Sequence, residues 1–297
     1  MTESRLRTLV ALAATGSIRG AANRLTVTES AVSASVSALA RELGVALVEP
    51  AGRGLRLTPS GVVYAQYARR VLGLLDEGAA AAAQVLDPER GRLRLAAVTT
   101  AGEHLLPSLL AGFRKKHPNV SLALEVAPSA QVWDLLTAHE VDLVIAGRPP
   151  TGVDARVMAT TPNELVVAAA PAVAENFDWA GTAWLLREHG SGTRTTVEAY
   201  LQAQDVSPPH LVLGSNGAVV AGAVAELGAA LVSRDAIAHH LADGRLVVVP
   251  APGTPMSRPW HAVADAYSGP ATWLFVRHLR SSGWCAHDEP GAAHHSE

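Results

Sequence analysis

The stretch Gly16-Ser17-Ile18-Arg19-Gly20-Ala21-Ala22-Asn23-Arg24-Leu25-Thr26-Val27-Thr28-Glu29-Ser30-Ala31-Val32-Ser33 decides the architecture at the start of this 297-residue chain. Gly16 stops a helix whose apolar residues recur at helical spacing from Leu6 to Ala14, and Ser17 N-caps the next one. The second helix is short, from Ile18 to Leu25, and its Ala21-Ala22 pair lets a neighbouring helix approach closely. Thr26-Val27-Thr28-Glu29 then opens a third helix, with Thr26 and Glu29 at capping-box spacing. This helix turns Ala31, Val32, Val36, Leu39 and Leu43 inward and ends at Gly44. Thr28, Ser30, Ser33, Ala34, Ser35 and Ser37 are left for an outer face. Two short helices joined by a tight turn form a helix-turn-helix.

Beyond it, Ala51-Gly52-Arg53-Gly54-Leu55-Arg56-Leu57 reads as a Gly-containing wing with two arginines placed to meet phosphates. Thr58 is a good N-cap and Pro59 a good first residue for a helix that continues to about Leu86, a rod of roughly 40 Å. Tyr64, Ala68, Val71, Leu75, Ala79, Ala82 and Leu86 form an apolar stripe along it, which must be buried against something. A second copy of the chain is the simplest partner, and packing on its own chain is the alternative. Asp87-Pro88-Glu89-Arg90-Gly91 breaks the helix and reads as a hinge.

After the hinge the pattern changes. Segments 93–98, 120–126 and 141–146 read as strands, with helical segments at 105–116 and 131–139 between them. A second set follows, with strands at 165–170, 184–187, 211–213 and 230–233 and helices at 193–203 and 218–227. The alternation predicts parallel sheets covered by helices, in two α/β lobes with a cleft between them. A terminal helix, 271–281, packs back on the first lobe. The expected organisation is α+β and multidomain: a winged helix-turn-helix at 1–58, a linker helix at 59–86, a hinge at 87–91 and a two-lobed domain at 92–287. Its first lobe takes 92–160 and 264–287, its second 161–263, and 288–297 is a polar tail.

Composition narrows the function. No stretch reaches the roughly 20 apolar residues of a membrane span, and Met1-Thr2-Glu3-Ser4-Arg5 does not open an export signal, so a cytoplasmic protein is expected. The formal net charge is −3, yet residues 1–70 carry nine arginines against four glutamates. This asymmetry suits a nucleic-acid partner once a groove-fitting motif accompanies it. Cys285 is alone and cannot form an internal disulfide.

The sequence resembles the LysR-type transcriptional regulators from Leu6 to about Ser282. The resemblance is carried by Gly16 through Ala22 with Leu25, by Ser30-Ala31-Val32-Ser33, Leu39 and Glu42-Leu43-Gly44, and by Arg53-Gly54-Leu55-Arg56-Leu57-Thr58-Pro59-Ser60-Gly61. It implies a homodimer or homotetramer on double-stranded DNA, with a periplasmic-binding-protein-like sensor domain downstream. Two departures stand out. Leu47-Val48-Glu49-Pro50 replaces the family's Leu-Phe-x-Arg turn, removing one phosphate-facing arginine. Glu29, Ala34 and Ser37 stand where Gln and Arg are usual on the recognition helix. Arg19, Arg24, Arg53 and Arg56 remain to contact phosphates, and Thr28, Glu29, Ser30, Ser33 and Ser37 to meet base edges or phosphates.

In the sensor domain, Arg187-Glu188-His189-Gly190-Ser191-Gly192-Thr193-Arg194 follows a strand and opens a helix. Free N–H groups at such a start, with hydroxyls and Arg194, suit an anion. An ordinary capped turn is the alternative reading. The segment resembles the Arg-Glu-Pro-Gly-Ser-Gly-Thr-Arg loop of a LysR-type subgroup that includes regulators of carbon-dioxide fixation and sulfur assimilation, with His189 replacing the proline. Thr99-Thr100 and Ser129 begin two other helices expected at the same cleft, and Asn216, after Ser215, a comparable turn in the second lobe. The candidate effector-binding residues are therefore Thr99, Thr100, Ser129, Ser191, Gly192, Thr193, Arg194 and Asn216, and the effector a small anionic metabolite.

An enzyme acting on a small phosphorylated or carboxylated substrate at this loop is the competing reading. There is no Walker lysine, no HExxH and no GxSxG, Ser191 has no identifiable base, and the pairs His239-His240 and His294-His295 lack metal spacing. No catalytic residue, cofactor or metal is expected. A transport-type solute-binding protein would have similar lobes, but the helix-turn-helix opposes it.

Overall fold

The structure, a computed structural model, describes residues 1–51, 54–86, 91–265 and 268–286. They form two compact units, residues 1–83 with 137–140 and residues 84–136 with 141–297.

The first unit is a winged helix-turn-helix with a long helix. Helices α1 (Glu3–Thr15), α2 (Ile18–Leu25) and α3 (Glu29–Leu43) pack around Leu9, Leu12, Ala21, Val32, Val36 and Leu39. Ser17 caps α2 by accepting from Gly20 N at 3.0 Å. The third helix starts differently from expectation. Thr28, not Thr26, is its N-cap and accepts from Ala31 N at 3.2 Å, because Thr26 is spent closing α2 in the left-handed conformation, φ 56°. Val32, Val36 and Leu39 are buried, whereas Ala31 is exposed and Leu43 only partly buried. Ala31 sits 100° round from Val32, at the edge of the apolar face.

Strands β1 (Val48–Ala51) and β2 (Gly54–Leu57) pair antiparallel as the wing. Helix α4 (Pro59–Leu86) follows, with Thr58 Oγ1 accepting from Gly61 N at 2.9 Å and donating to Ala46 O at 2.7 Å. Gly61 allows this junction: a Cβ there would lie 2.0 Å from Leu47 O. The stripe on α4 divides. Ala65, Ala68 and Leu72 are buried, the latter two against Leu6 of α1, while Val63, Tyr67, Val71, Leu74 and Leu75 stay exposed. The expected line ran between these flanks, so Tyr64 and Ala68 pack inward and Val71, Leu75, Ala79 and Ala82 face out. The hinge residues 87–90 and the side chain of Leu86 lie outside the described residues.

In the second unit, the first lobe is built on β3 (Arg92–Val98), β4 (Ser121–Ala127), β5 (Leu143–Ala146), β6 (Arg156–Thr161), β13 (Trp260–Ala264) and β14 (Cys285–Ala286). Their order is β14-β6-β13-β5-β3-β4. A π-turn at Ala101–Leu105 leads into α5 (Leu106–Lys116), and α6 (Ser129–Thr137) and α11 (Pro270–Ser281) complete the lobe. Helix α11 buries Leu274, Phe275 and Leu279 with Leu93, Leu95 and Phe113. β3 is parallel to β4 and β5, but β13 is antiparallel to both β5 and β6. The sheet is thus mixed rather than parallel. β6 carries the chain out of the lobe and β13 brings it back beside β6, so the two must run in opposite directions. Because β13 belongs to this sheet, the return crossover lies at 258–259 rather than at the expected 263.

The second lobe centres on β7 (Glu164–Ala169), flanked antiparallel by β10 (Ala230–Ser233), β11 (Val247–Val248) and β12 (Met256–Ser257). β8 (Trp184–Arg187) pairs in parallel with β9 (His210–Leu213). Helices α7 (Pro171–Glu175), α8 (Gly192–Ala203), α9 (Asn216–Val224) and α10 (Ala238–Ala242) cover it. Trp184, Val197, Tyr200 and Leu231 form one side of its core. No helix among the described residues is long and apolar enough to cross a membrane.

Candidate functional site

Two surfaces have the makings of sites. The first is the exposed side of α3 and its surroundings. Ser30 and Ser37 are exposed and Ser33 half-buried, on the face opposite Val32, Val36 and Leu39. Thr28, Glu29, Arg19 and Arg24 are exposed too. The Thr28 hydroxyl is already engaged, by its capping bond and by a 3.0 Å contact with Ser30 Oγ. On the wing, Arg56 and Glu49 are cross-strand partners, and Arg56 Nε donates to Glu49 Oε1 at 2.6 Å. The acidic residue that departs from the family turn therefore holds a carboxylate against an arginine expected to meet phosphate. Arg53 lies outside the described residues.

The second is the cleft between the two lobes of the second unit. It is lined by Thr99, Thr100 and Ser129 from the first lobe and by Ser191, Gly192 and Thr193 from the second, so six of the eight expected effector residues come together. They do so because β3, β4 and β8 end there, and a π-turn, α6 and α8 begin there. The helix starts leave backbone N–H groups and positive dipole ends at the cleft.

Arg187 and Arg258, which sequence reasoning did not single out, also line it. Arg187, 5% exposed, donates from Nε and Nη2 to the two oxygens of Glu188, both at 2.7 Å. Its Nη2 also reaches across to Thr99 Oγ1 at 3.3 Å. Burial pushes the Glu188 carboxyl pKa up, but the Arg187 bonds and charge outweigh it, and the net shift is downward. Glu188 thus stays ionised and orients Arg187.

Arg258 has no such partner. Its guanidinium contacts Thr193 Oγ1 at 3.5 Å, and among the described residues no carboxylate pairs with it. Burial alone pushes its pKa down. It fits where two glycines leave room: a Cβ on Gly192 would lie 3.0 Å from Nη2 and one on Gly147 3.5 Å. Among the described residues the cleft lining holds two arginines, hydroxyls and helix starts, and no Asp, Glu, His, Lys or Cys. Such a site stabilises negative charge and offers no general base.

Two expected residues are elsewhere. Arg194 turns from the cleft, its Nε on Glu198 Oε1 at 2.7 Å and its Nη1 on the carbonyl of Arg187 at 3.0 Å. It borders a separate pocket with Glu198, Gln202, Asp205 and His210. The helical spacing of Arg194 and Glu198, i and i+4, draws the arginine along α8. Asn216, 2% exposed, sits at the start of α9 and does not line the cleft. Arg194→Ala is therefore expected to lower the melting temperature by a few degrees, while weakening anion binding in calorimetry by less than about tenfold. A loss as large as that from removing Arg258 would restore Arg194 to the cleft. The rings of His239 and His240 lie 3.8 Å apart, centroid to centroid. His294 and His295 lie outside the described residues.

Comparison with known proteins bears on both surfaces. Residues 4–62 match the bacterial regulatory helix-turn-helix proteins of the lysR family, and residues 86–284 match the LysR substrate binding domain. The transcriptional regulator CbbR of Rhodospirillum rubrum is 32% identical, covering 83% of this chain and 84% of that protein. The transcriptional activator CmpR of Synechocystis is 30% identical, covering 85% and 86%. Both are named as regulators and not as enzymes. The crystal structure of CbnR, a LysR family transcriptional regulator, superposes with a TM-score of 0.67 at 21% identity, covering 97% of this chain and 100% of that one. The regulatory domain of CcmR from Synechocystis, in complex with 2-PG, superposes with a TM-score of 0.59 at 27% identity, covering 64% and 96%. With both of its folded parts matched over nearly their whole length, the chain belongs to the LysR family of transcriptional regulators.

Proposed function

We propose that this regulator binds double-stranded DNA as a homo-oligomer in the cytoplasm and is controlled by a small anionic metabolite held between its two lobes. The observation that carries the effector class is Arg258, a partly buried cation that, among the described residues, has no carboxylate partner and stands in a cleft lined by hydroxyls, a second arginine and apolar groups. The 2-PG complex of CcmR supports the same class, a compact molecule with a phosphate and a carboxylate. The pocket between the lobes is narrow and lined from both sides, so an effector that fits one lobe spacing better than another biases their positions by that difference in affinity.

The test is titration of the purified protein with 2-phosphoglycolate and inorganic phosphate, followed by calorimetry and by intrinsic tryptophan fluorescence, to which Trp260 in the cleft contributes. Saturable binding that shifts retention of genomic DNA fragments supports the reading. Binding of neither anion nor of any fragment counts against it.

For the DNA surface, Arg19, Arg24, Arg53 and Arg56 are assigned to phosphates, and Thr28, Glu29, Ser30, Ser33 and Ser37 to the groove. Glu49→Gln frees Arg56 from its carboxylate. It is expected to raise affinity for specific and unrelated DNA alike by roughly two- to fivefold at low salt, with a salt slope steeper by about one. A change confined to one operator would mean that Glu49 acts on bases instead.

A further inference from the structure

We propose that Asn163 is a positioning residue for the effector: it binds the two lobe crossovers into one pivot and thereby fixes Arg258 in the cleft. This rests on the reading of Arg258 as an anion contact. The chain leaves the first lobe after β6 and returns just before β13, and Asn163 lies on the outgoing segment, Arg258 on the returning one. Their backbones and side chains interlock. Arg258 N donates to Asn163 O at 2.8 Å, and Asn163 Nδ2 donates to Arg258 O at 2.9 Å. The Ser233 hydroxyl, at the end of β10, donates to Asn163 Oδ1 at 2.6 Å. Asn163 is 3% and Ser233 4% exposed.

The chemistry demands an amide. One side chain must donate to a carbonyl and accept from a hydroxyl at once, without charge, in a buried place. Asp could still accept from Ser233 but cannot donate, leaving Arg258 O without its partner, and an apolar residue can do neither, leaving Ser233 without one as well. The consequence reaches the cleft through Arg258 itself. Its backbone is held at the pivot, while its guanidinium lies against Gly147 of the first lobe and Gly192 and Thr193 of the second. A freed crossover would let the guanidinium leave this confined position, and an anion would then have to reorder it on binding. The same interlock makes effector contact and lobe angle properties of one residue.

The experiment is a double-mutant cycle on the full chain, with Kd for 2-phosphoglycolate and for inorganic phosphate read by calorimetry. Asn163→Ala is expected to weaken binding about tenfold, and Ser233→Ala, which removes only the orienting hydroxyl, about two- to threefold. In an Arg258→Lys background, which lacks the planar fork, the effect of Asn163→Ala is expected to shrink below twofold. A purely structural role predicts the same loss in both backgrounds, or a lower melting temperature with unchanged Kd, and either result overturns the proposal. Where Asn163→Ala does not fold, the same comparison is made with Ser233→Ala. If Arg258→Gln binds like the wild type, or the wild type binds neither probe, the reading of Arg258 fails first. If Arg258→Lys weakens binding and Asn163→Ala does not, only the positioning role fails.

Discussion

Arg258→Gln abolishes the response to anionic effector while leaving the protein as stable as the wild type or slightly more so. The two halves of this expected result have one cause. The guanidinium is held partly out of water, and among the described residues its hydrogen-bond partner is a threonine hydroxyl rather than a carboxylate, so its charge is unfavourable until an anion arrives. Removing it relieves that burden in the free protein and deletes the main electrostatic attraction for the ligand. A charge pair of this kind is worth about 2–5 kcal/mol, which corresponds to at least about a 30-fold loss of affinity. Calorimetry reads the affinity, and thermal melting without ligand reads the stability. A drop in melting temperature of more than about five degrees would show that Arg258 is a structural cation with an unrecognised partner, and unchanged affinity would remove it from the site.

The second large effect concerns α4. Val63, Tyr67, Val71 and Leu74 recur at spacings of four and three residues and are exposed in the single chain, Tyr67 by 60% and Leu74 by 49%. Each such side chain, if fully buried by a partner, contributes about 1.5–3 kcal/mol, and a two-fold interface counts each position twice. The double substitution Val71→Glu with Leu74→Glu places like charges where the two helices would meet. Sedimentation velocity is expected to show monomer at micromolar concentration, with affinity for a dyad-symmetric site reduced more than about 100-fold. The folded monomer is expected to persist, since neither side chain belongs to its core. An unchanged mass would move the interface away from this flank.

Much of this was legible in the sequence, and the failures have physical reasons. Helix α2 and strands β8 and β10 fall where turn residues and apolar runs place them, because local chemistry decides those ends. The flank of α4 that meets α1 was misjudged, since periodicity marks an apolar face without saying which neighbour covers which half. β6 and β13 were missed: Arg156–Thr161 carries only two strongly apolar residues, and its place in a sheet depends on a partner about 100 residues away. In the cleft, hydroxyls and helix starts were visible because they belong to local motifs. Arg258 was not, because nothing local separates an arginine aimed into a cleft from one in solvent, and Arg187, though it opens the quoted loop, was passed over for the arginine at the loop's other end. Arg194 misled for the converse reason: it stands in the right motif, and Glu198 one turn later takes it.

The adjacency of β6 and β13 has a topological consequence. Thr161 and Trp260 face each other as the terminal pair of an antiparallel ladder, so the entire second lobe is an insertion at the open end of what would otherwise be a hairpin. A short β-turn joining those two residues closes the first lobe on itself without rearranging a strand. The sensor can accordingly be regarded as one α/β fold with a guest: exchanging the guest alters what closes over the anion, while the host keeps its sheet.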